Sequence, residues 1–541
     1  MKYLFTRDGS CVPGPAGRLI SIIRCLSRRL SHTLSAFDIR PLGVADRTET
    51  YNSGFATQIL QGTYILWTVL LQGVVDPHKN PLSLAAQFWS RLASSVPFTG
   101  SDPLSMALAA PAIGREHWLD GLRGIAAAIV VWFHFTVGEM GSPFRSFWTN
   151  PEEENRHWFQ LPPFRIFFAG QSMVLVFFVI SGYAVSISII RLREDAPTQF
   201  YRKLTSSALR RGFRLYIPVL AICLLSHLAL YAGIIDWNPG NPEEGCPGAE
   251  PWSAPGPHLS CLIMTFLSTL DLTGTLYVAG YNFHLWTISF EFRYSQAIYL
   301  VILGLAWVKP RVRLGAIACL GVVYMWFGSP IISSFLAGLM FAELDVAKEK
   351  SLCPPAGVGK RHRTGLAATC LSLLPGLLFA MGIFLICLPQ DPSFPPDFRF
   401  QSQLALPFYV DPQIRIRAWH AIGAILVVGT LRYLPFLRAP LDSKVAQFLG
   451  TISFSIYLLH PLFIMILRNR ILEGVCQVLG GKDFWQTRHD ESAWHILFLA
   501  WAFAGFIVGP LLVFASGYMA RSIDRRSVSW SYQVEKILCT R

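Results

Sequence analysis

The sequence predicts an all-α protein, a polytopic bundle of about ten transmembrane helices with both termini in the cytoplasm. Three observations carry this. Of the 541 residues, 52% are hydrophobic and only 15% charged, whereas a soluble chain carries roughly 25% charged residues. The apolar residues are gathered into runs near the ~20 residues that a spanning helix needs. The basic residues are distributed unevenly between successive loops, as the positive-inside rule requires.

The apolar runs lie at 118–138, 170–190, 213–234, 283–305, 313–328, 330–345, 366–388, 416–436, 447–468 and 495–518. Between the second and third, residues 191–214 hold seven Lys and Arg, whereas 215–290 hold none. That contrast sets the orientation. Lys309, Arg311 and Arg313, the basic residues of 348–363, then Arg432, Arg438 and Lys444, fall on the same side as Arg521, Arg525 and Arg526. Both ends of the chain are therefore expected in the cytoplasm, and the lipid bilayer is the first partner. The formal net charge of +13 has its source in these loops, which argues against nucleic acid as a partner.

Residues 1–114 form an N-terminal cytoplasmic tail on this reading. Within it, 17–37 mixes Arg with apolar residues at helical spacing and reads as a surface-bound or targeting segment, with a plain basic tail as the alternative. The patch at 64–75 is too short to span and is expected along the interface. The membrane domain then covers 115–520, and 521–541 form a cytoplasmic tail. The chain shows no internal repeat, which weighs against transporters built from two related halves. Its eleven cysteines show no metal-ligand spacing, so no metal site is expected. Cys246 and Cys261 bracket a Pro/Gly-rich stretch on the outer side, where a disulfide between them is possible.

The first run, "RGIAAAIVVWFHF", places Arg123 and His134 eleven residues apart. At 100° per residue they share one helix face, separated by about 16 Å along the axis. An intramembrane histidine is costly unless a bundle interior or wet cavity receives it. The second run carries Ser181 and Tyr183 in "FFVISGY", residue types that more often serve helix packing. The third opens with the cluster "RRGFR", which contains Arg210, Arg211 and Arg214; positive-inside anchoring is the simple reading, and phosphate binding the functional one. The fourth carries Glu291 in "NFHLWTISFEFRYS", and the ninth places His460 before Pro461 in "SFSIYLLHP". Counting the rise from each helix end brings Ser181, Tyr183, Glu291 and His460 toward the depth of His134 in the outer half of the membrane, with the arginines at the cytoplasmic side.

Five segments, "WLDGLRGIAAAIVVWFHF", "FFVISGY", "RRGFRLYIP", "LWTISFEFRYS" and "SFSIYLLHP", resemble in this order the acyltransferase-3 family of multipass membrane acyltransferases, particularly its long fungal members. The resemblance implies that Arg123 and His134 form the signature needed for acyl transfer, and that Glu291 is a recurring polar position. Tyr294 departs from the pattern, where a small residue is expected. The donor implied is an acyl-CoA, most often acetyl-CoA, with no bound cofactor, and the acceptor a small hydroxylated metabolite, with a sugar or cell-surface glycan as the alternative.

Acyl transfer from a thioester to a hydroxyl needs a base, and imidazole, with an unperturbed pKa of about 6.5, suits the task. His134 is expected to be that base, with Glu291 orienting it as the acid of a triad does. Arg123, Arg210, Arg211 and Arg214 are expected to meet the donor's phosphates. Ser181, Tyr183 and His460 are expected to line the site. A transporter or permease remains the competing class. Endoplasmic reticulum, plasma membrane, acyl chain length and oligomeric state stay open.

Overall fold

A computed structural model describes residues 116–137, 142–153, 155–235, 252, 255–272, 282–352, 366–390, 399–403, 408–409, 411–481, 484 and 494–538. The segments 17–37 and 64–75 and Cys246 lie outside the described residues. Two compact units are present. One comprises 107–476 with 485–541; of the other, 1–106 with 477–484, only 477–481 and Phe484 are described.

The described residues contain helices and connecting turns, and no strand. In chain order the helices longer than two turns are α1 His117–Thr136, α2 Gly170–Asp195, α3 Pro197–Tyr231, α4 Pro255–Leu270, α5 Trp286–Gly304, α6 Pro310–Trp326, α7 Pro330–Leu352, α8 Leu366–Ile386, α9 Pro412–Leu431, α10 Lys444–Phe463, α11 Asn469–Gly480, α12 Trp494–Met519 and α13 Arg525–Leu538. Their starts follow from local chemistry. Pro197, Pro310 and Pro412 stand in the first turn of α3, α6 and α9, where the missing N–H is no loss and φ is already helical. Asp411 caps α9 by accepting from the Gln413 amide at 2.8 Å, and Ser443 caps α10 by accepting from the Ala446 amide at 3.3 Å. Pro461 lies inside α10, which then continues through a π-helical turn, Ile464–Arg468, into α11. That turn re-aims the residues beyond it.

Each of the ten expected apolar runs contains a helix, and among the described residues seven are long and apolar enough to cross a membrane. Of the other three, α5 carries Glu291 and Arg293 in its first half, α6 has only 17 residues, and α8 is apolar along Leu373–Ile386, where its side chains are described.

Helix α2 is the hub, packed against α1, α3, α5, α7 and α9. Its contact with α7 is backbone to backbone: a Cβ on Gly182 would lie 2.1 Å from the Phe335 carbonyl oxygen, and one on Gly338 2.2 Å from that of Val179. Apolar burial does not separate helices from lipid, so such small-residue contacts, together with polar ties, hold a membrane bundle together. At the basic ends of α2, α6 and α7, Arg193 makes a two-pronged ion pair with Glu343 at 2.7 and 2.8 Å, and Arg313 adds a third bond at 3.1 Å. Cys261 is buried on α4 and is disulfide-bonded.

Candidate active site

The site begins with the contact between α1 and α10. A Cβ on Gly124 would lie 2.3 Å from the Gly450 amide nitrogen, and one on Gly450 2.3 Å from the Asp120 carbonyl oxygen. The two helices run in the same direction at backbone contact. Ten residues further along each chain, His134 and His460 arrive at the same level, their ring centroids 5.1 Å apart. His134 lies in the last turn of α1, two residues before Thr136.

A third imidazole completes this layer. His284, in the turn that leads into α5, stacks edge-on to His460 at 5.4 Å. The Tyr457 hydroxyl fixes it by donating to the His284 carbonyl and by sharing a 2.5 Å hydrogen bond with Thr287. His460 is fully buried, His284 nearly so, and His134 is half-buried. His460 Nδ1 lies 3.3 Å from the Ile456 carbonyl oxygen. That contact assigns the ring proton to Nδ1 and leaves Nε2 as a lone pair, which is buried with no hydrogen-bond partner among the described residues. Phe133 and Phe283 close the sides of His134 at 5.0 and 5.5 Å. Among the described residues no cluster of His, Cys, Asp and Glu could hold a metal ion.

The second layer lies toward the other end of the bundle. Arg123, three turns before His134, donates to the Gly450 carbonyl at 2.9 Å and lies 3.5 Å from Asp120. Arg211 of α3 pairs with Glu291 of α5 at 2.8 Å, and Ser181 of α2 donates to the same carboxylate oxygen at 3.3 Å. Arg214 is exposed and within electrostatic range of Arg211, Arg123, Glu291 and Asp524. Asp524, beyond α12, accepts from Ser455 of α10 at 2.7 Å. Three guanidinium groups thus share a wall with three carboxylates.

Several expectations are corrected by this geometry. Glu291 does not reach His134, because seven residues of helix carry it about 10 Å below His284, and its partners are Arg211 and Ser181. Ser181 and Tyr183 do not share the site: two residues apart on a helix they face different sides, and Tyr183 is buried within electrostatic range of Asp345. Tyr294 packs on Phe290 and Phe335 at 5.8 and 5.9 Å and stays in the core. Arg210 is engaged by α13, with Glu535 at 3.1 Å and the Tyr532 ring at 4.2 Å. His460 lies beside His134 in the histidine layer.

Three residues escaped the sequence reading. His284 stands in the segment that drew attention to Glu291, and its position in the turn just before the same helix was the available signal. Arg468 follows His460 by eight residues and donates to the Phe135 carbonyl at 2.8 Å and the His134 carbonyl at 3.4 Å; no local pattern forecasts that reach, since it depends on the π-helical turn. Asp524 sat in a stretch read as cytoplasmic tail, beyond the apolar run.

Comparison with known proteins adds an independent line. Acyltransferase clz18 of Cochliobolus lunatus is 27% identical over 385 residues, covering 63% of this chain and 81% of its own length. The O-acetyltransferase PaAT-1 of Phomopsis amygdali is 24% identical over 456 residues, 77% of this chain and 84% of its own. Acyltransferase R4 of a Phoma species is 25% identical over 424 residues, 68% and 86% respectively. No solved structure matches the chain. The family model described as an acyltransferase domain matches residues 116–518, from the first residue of the described bundle to the end of α12, and by that match the chain belongs to the acyltransferase-3 family.

Proposed function

We propose that this protein is a membrane O-acyltransferase that moves an acyl group, acetyl in the first instance, from acyl-CoA to a hydroxyl of a small molecule, in secondary-metabolite biosynthesis. The fungal acyltransferases and the O-acetyltransferase among its relatives support this choice of reaction. All ten apolar helices cross the bilayer in this reading, with both termini in the cytoplasm; α5 crosses because its charged residues are paired or stacked inside the bundle.

The observation that carries the proposal is the separation of two layers on one helix. Arg123 and His134 are eleven residues apart, about 16 Å along α1. An acyl-CoA has the same division, with its phosphates at one end of a long flexible arm and its thioester at the other. Arg123, Arg211 and Arg214 take the phosphates on the cytoplasmic side, where guanidinium forks suit phosphate oxygens. The thioester then reaches the histidine layer. His134, the most open of the three imidazoles, takes the proton of the acceptor hydroxyl as its oxygen bonds to the thioester carbonyl carbon. The carbon–sulfur bond breaks, and His134 returns that proton to the departing thiolate. Ser181 donates to a Glu291 carboxylate oxygen that is already paired with Arg211, so the carboxylate is a weakened base for it and direct transfer is favoured over an acyl-enzyme.

The test is to incubate the purified protein with acetyl-CoA and a hydroxylated metabolite extract, and to look for a mass gain of one acetyl group. His134→Ala should abolish it, a base contributing roughly 10²- to 10⁴-fold. A correctly inserted His134→Ala protein with near-normal turnover would falsify the assignment.

A further inference from the structure

Among the described residues, no carboxylate side chain contacts His134; the acid that orients the imidazole in a hydrolase triad has no counterpart, since Glu291 belongs to the arginine layer. A catalytic imidazole left unoriented loses most of its advantage, because a misplacement of about 1 Å can cost about 100-fold. Something else must hold it.

One continuous helix touches His134 from two directions. From α10, His460 presents its ring at 5.1 Å and 30° to that of His134, with the Nε2 lone pair unpartnered and buried. Eight residues later, at the end of the π-helical turn, Arg468 passes its guanidinium beneath the last turn of α1. It donates to the carbonyls of Phe135 and His134, while its Nε donates to the Asn469 side chain at 2.8 Å. The last carbonyls of a helix have no partner within it, and a buried cation at a helix C-terminus is favoured by the peptide dipoles as well. Arg468 is itself buried, so its two carbonyl contacts fix the position and tilt of the turn that carries His134. The π-helical turn is what makes this reach possible, and such turns are enriched at functional sites.

We infer that His460 and Arg468 are the positioning residues of His134: Arg468 sets its backbone and the His460 lone pair sets its ring, so that two groups from one helix replace the acid of a triad. When His134 takes the acceptor's proton, His460 Nε2 is the neutral acceptor beside it, and the contact tightens as catalytic hydrogen bonds do on going from the empty enzyme to the reacting complex. The inference rests on the reading of His134 as the base.

The experiment measures acetyl-CoA affinity and turnover separately in full-length protein. Arg468→Gln should lower kcat by about 10- to 100-fold with donor affinity within about twofold, and Arg468→Lys, which can still donate to one carbonyl, should recover part of the loss. His460→Leu should behave as Arg468→Gln does, and His460→Asn, whose amide oxygen restores an acceptor, should recover part of it. A loss of donor affinity equal to the loss of kcat, or failure of both conservative variants to recover anything, would assign these residues to bundle packing and overturn the inference. Unchanged turnover in Arg468→Gln and His460→Leu alongside an inactive His134→Ala protein would also overturn it while leaving the base in place. An active His134→Ala protein would instead remove the reading beneath it.

Discussion

Arg211 and Glu291 form an ion pair of 2.8 Å between α3 and α5, and the pair stands in the arginine layer rather than among the histidines. The carboxylate therefore sets where the Arg211 guanidinium points. Its removal should act on the donor. In Glu291→Gln, acyl-CoA affinity is expected to change several-fold, while kcat at saturating donor stays within about threefold, because the proton-transfer geometry around His134 is untouched. The assay is an acyl-CoA titration with turnover and binding read separately. If kcat collapses while donor affinity holds, the carboxylate takes part in the proton transfer after all.

The buried charges at the basic ends of α2, α6 and α7 make a sharper stability contrast. Glu343 is 5% exposed and serves both Arg193 and Arg313, themselves buried. Glu343→Gln leaves the buried Arg193 guanidinium without its carboxylate and Arg313 with only Glu194 at 3.5 Å, and removing one partner of a buried pair costs about 3–5 kcal/mol. Arg191 and Glu349 pair nearby with side chains 26% and 49% exposed, so Arg191→Ala should cost no more than about 0–1 kcal/mol. The fraction of each variant that survives detergent extraction as a monodisperse species reads the difference. Equal survival of the two would show that the Glu343 cluster is wetter than its burial indicates.

How far the sequence could be read follows from which interactions are local. Helix positions were legible because a bilayer demands apolar length, and that demand is written in consecutive residues. Arg123 and His134 were legible as a pair because one helix relates them. Glu291 was legible as important but was given the wrong partner: its depth was counted from one end of α5, whereas its contacts depend on how α2 and α3 are packed against it. His284 and Arg468 stayed hidden for a related reason. Each acts across helices, and Arg468 reaches α1 only because the helix locally winds wider after Pro461.

The approach of α1 to α10 can be tested at Gly124. A methyl group there would meet the Gly450 amide nitrogen at 2.3 Å and the Ala446 carbonyl oxygen at 2.6 Å. Both are backbone atoms that no side-chain rotation can move. Gly124→Ala should therefore push the helices apart at a cost of about 1–3 kcal/mol or more, and should draw His134 away from His460. A lowered thermal midpoint together with lost turnover is expected. A Gly124→Ala protein with unchanged midpoint and activity would mean that the helices do not sit at this distance.

Arg123 and Arg210 separate donor binding from tail anchoring. Arg123 is one-third exposed at the level of Arg211 and Arg214, with one nitrogen spent on the Gly450 carbonyl. Arg210 is committed to Glu535 and Tyr532 of α13. Arg123→Lys keeps the charge and loses the planar fork, so it can no longer hold the Gly450 carbonyl and a phosphate oxygen together. Donor affinity should fall about tenfold, the worth of one charge-assisted hydrogen bond of roughly 1.5–3 kcal/mol that is only partly regained by the ammonium, and kcat should fall less. Because a lost phosphate contact removes an electrostatic attraction, binding by the variant should also weaken less steeply as salt is raised. Arg210→Ala should instead loosen α13, seen as faster proteolysis after residue 524, with acyl-CoA affinity near that of the unmodified protein. If Arg210→Ala loses donor affinity as strongly as Arg123→Lys, the phosphates extend over the α3–α13 contact and the donor site is larger than three arginines. If Arg123→Lys binds the donor as before yet fails in turnover, the arginine acts through its grip on Gly450, and the first layer serves the register of α1 and α10 rather than the donor.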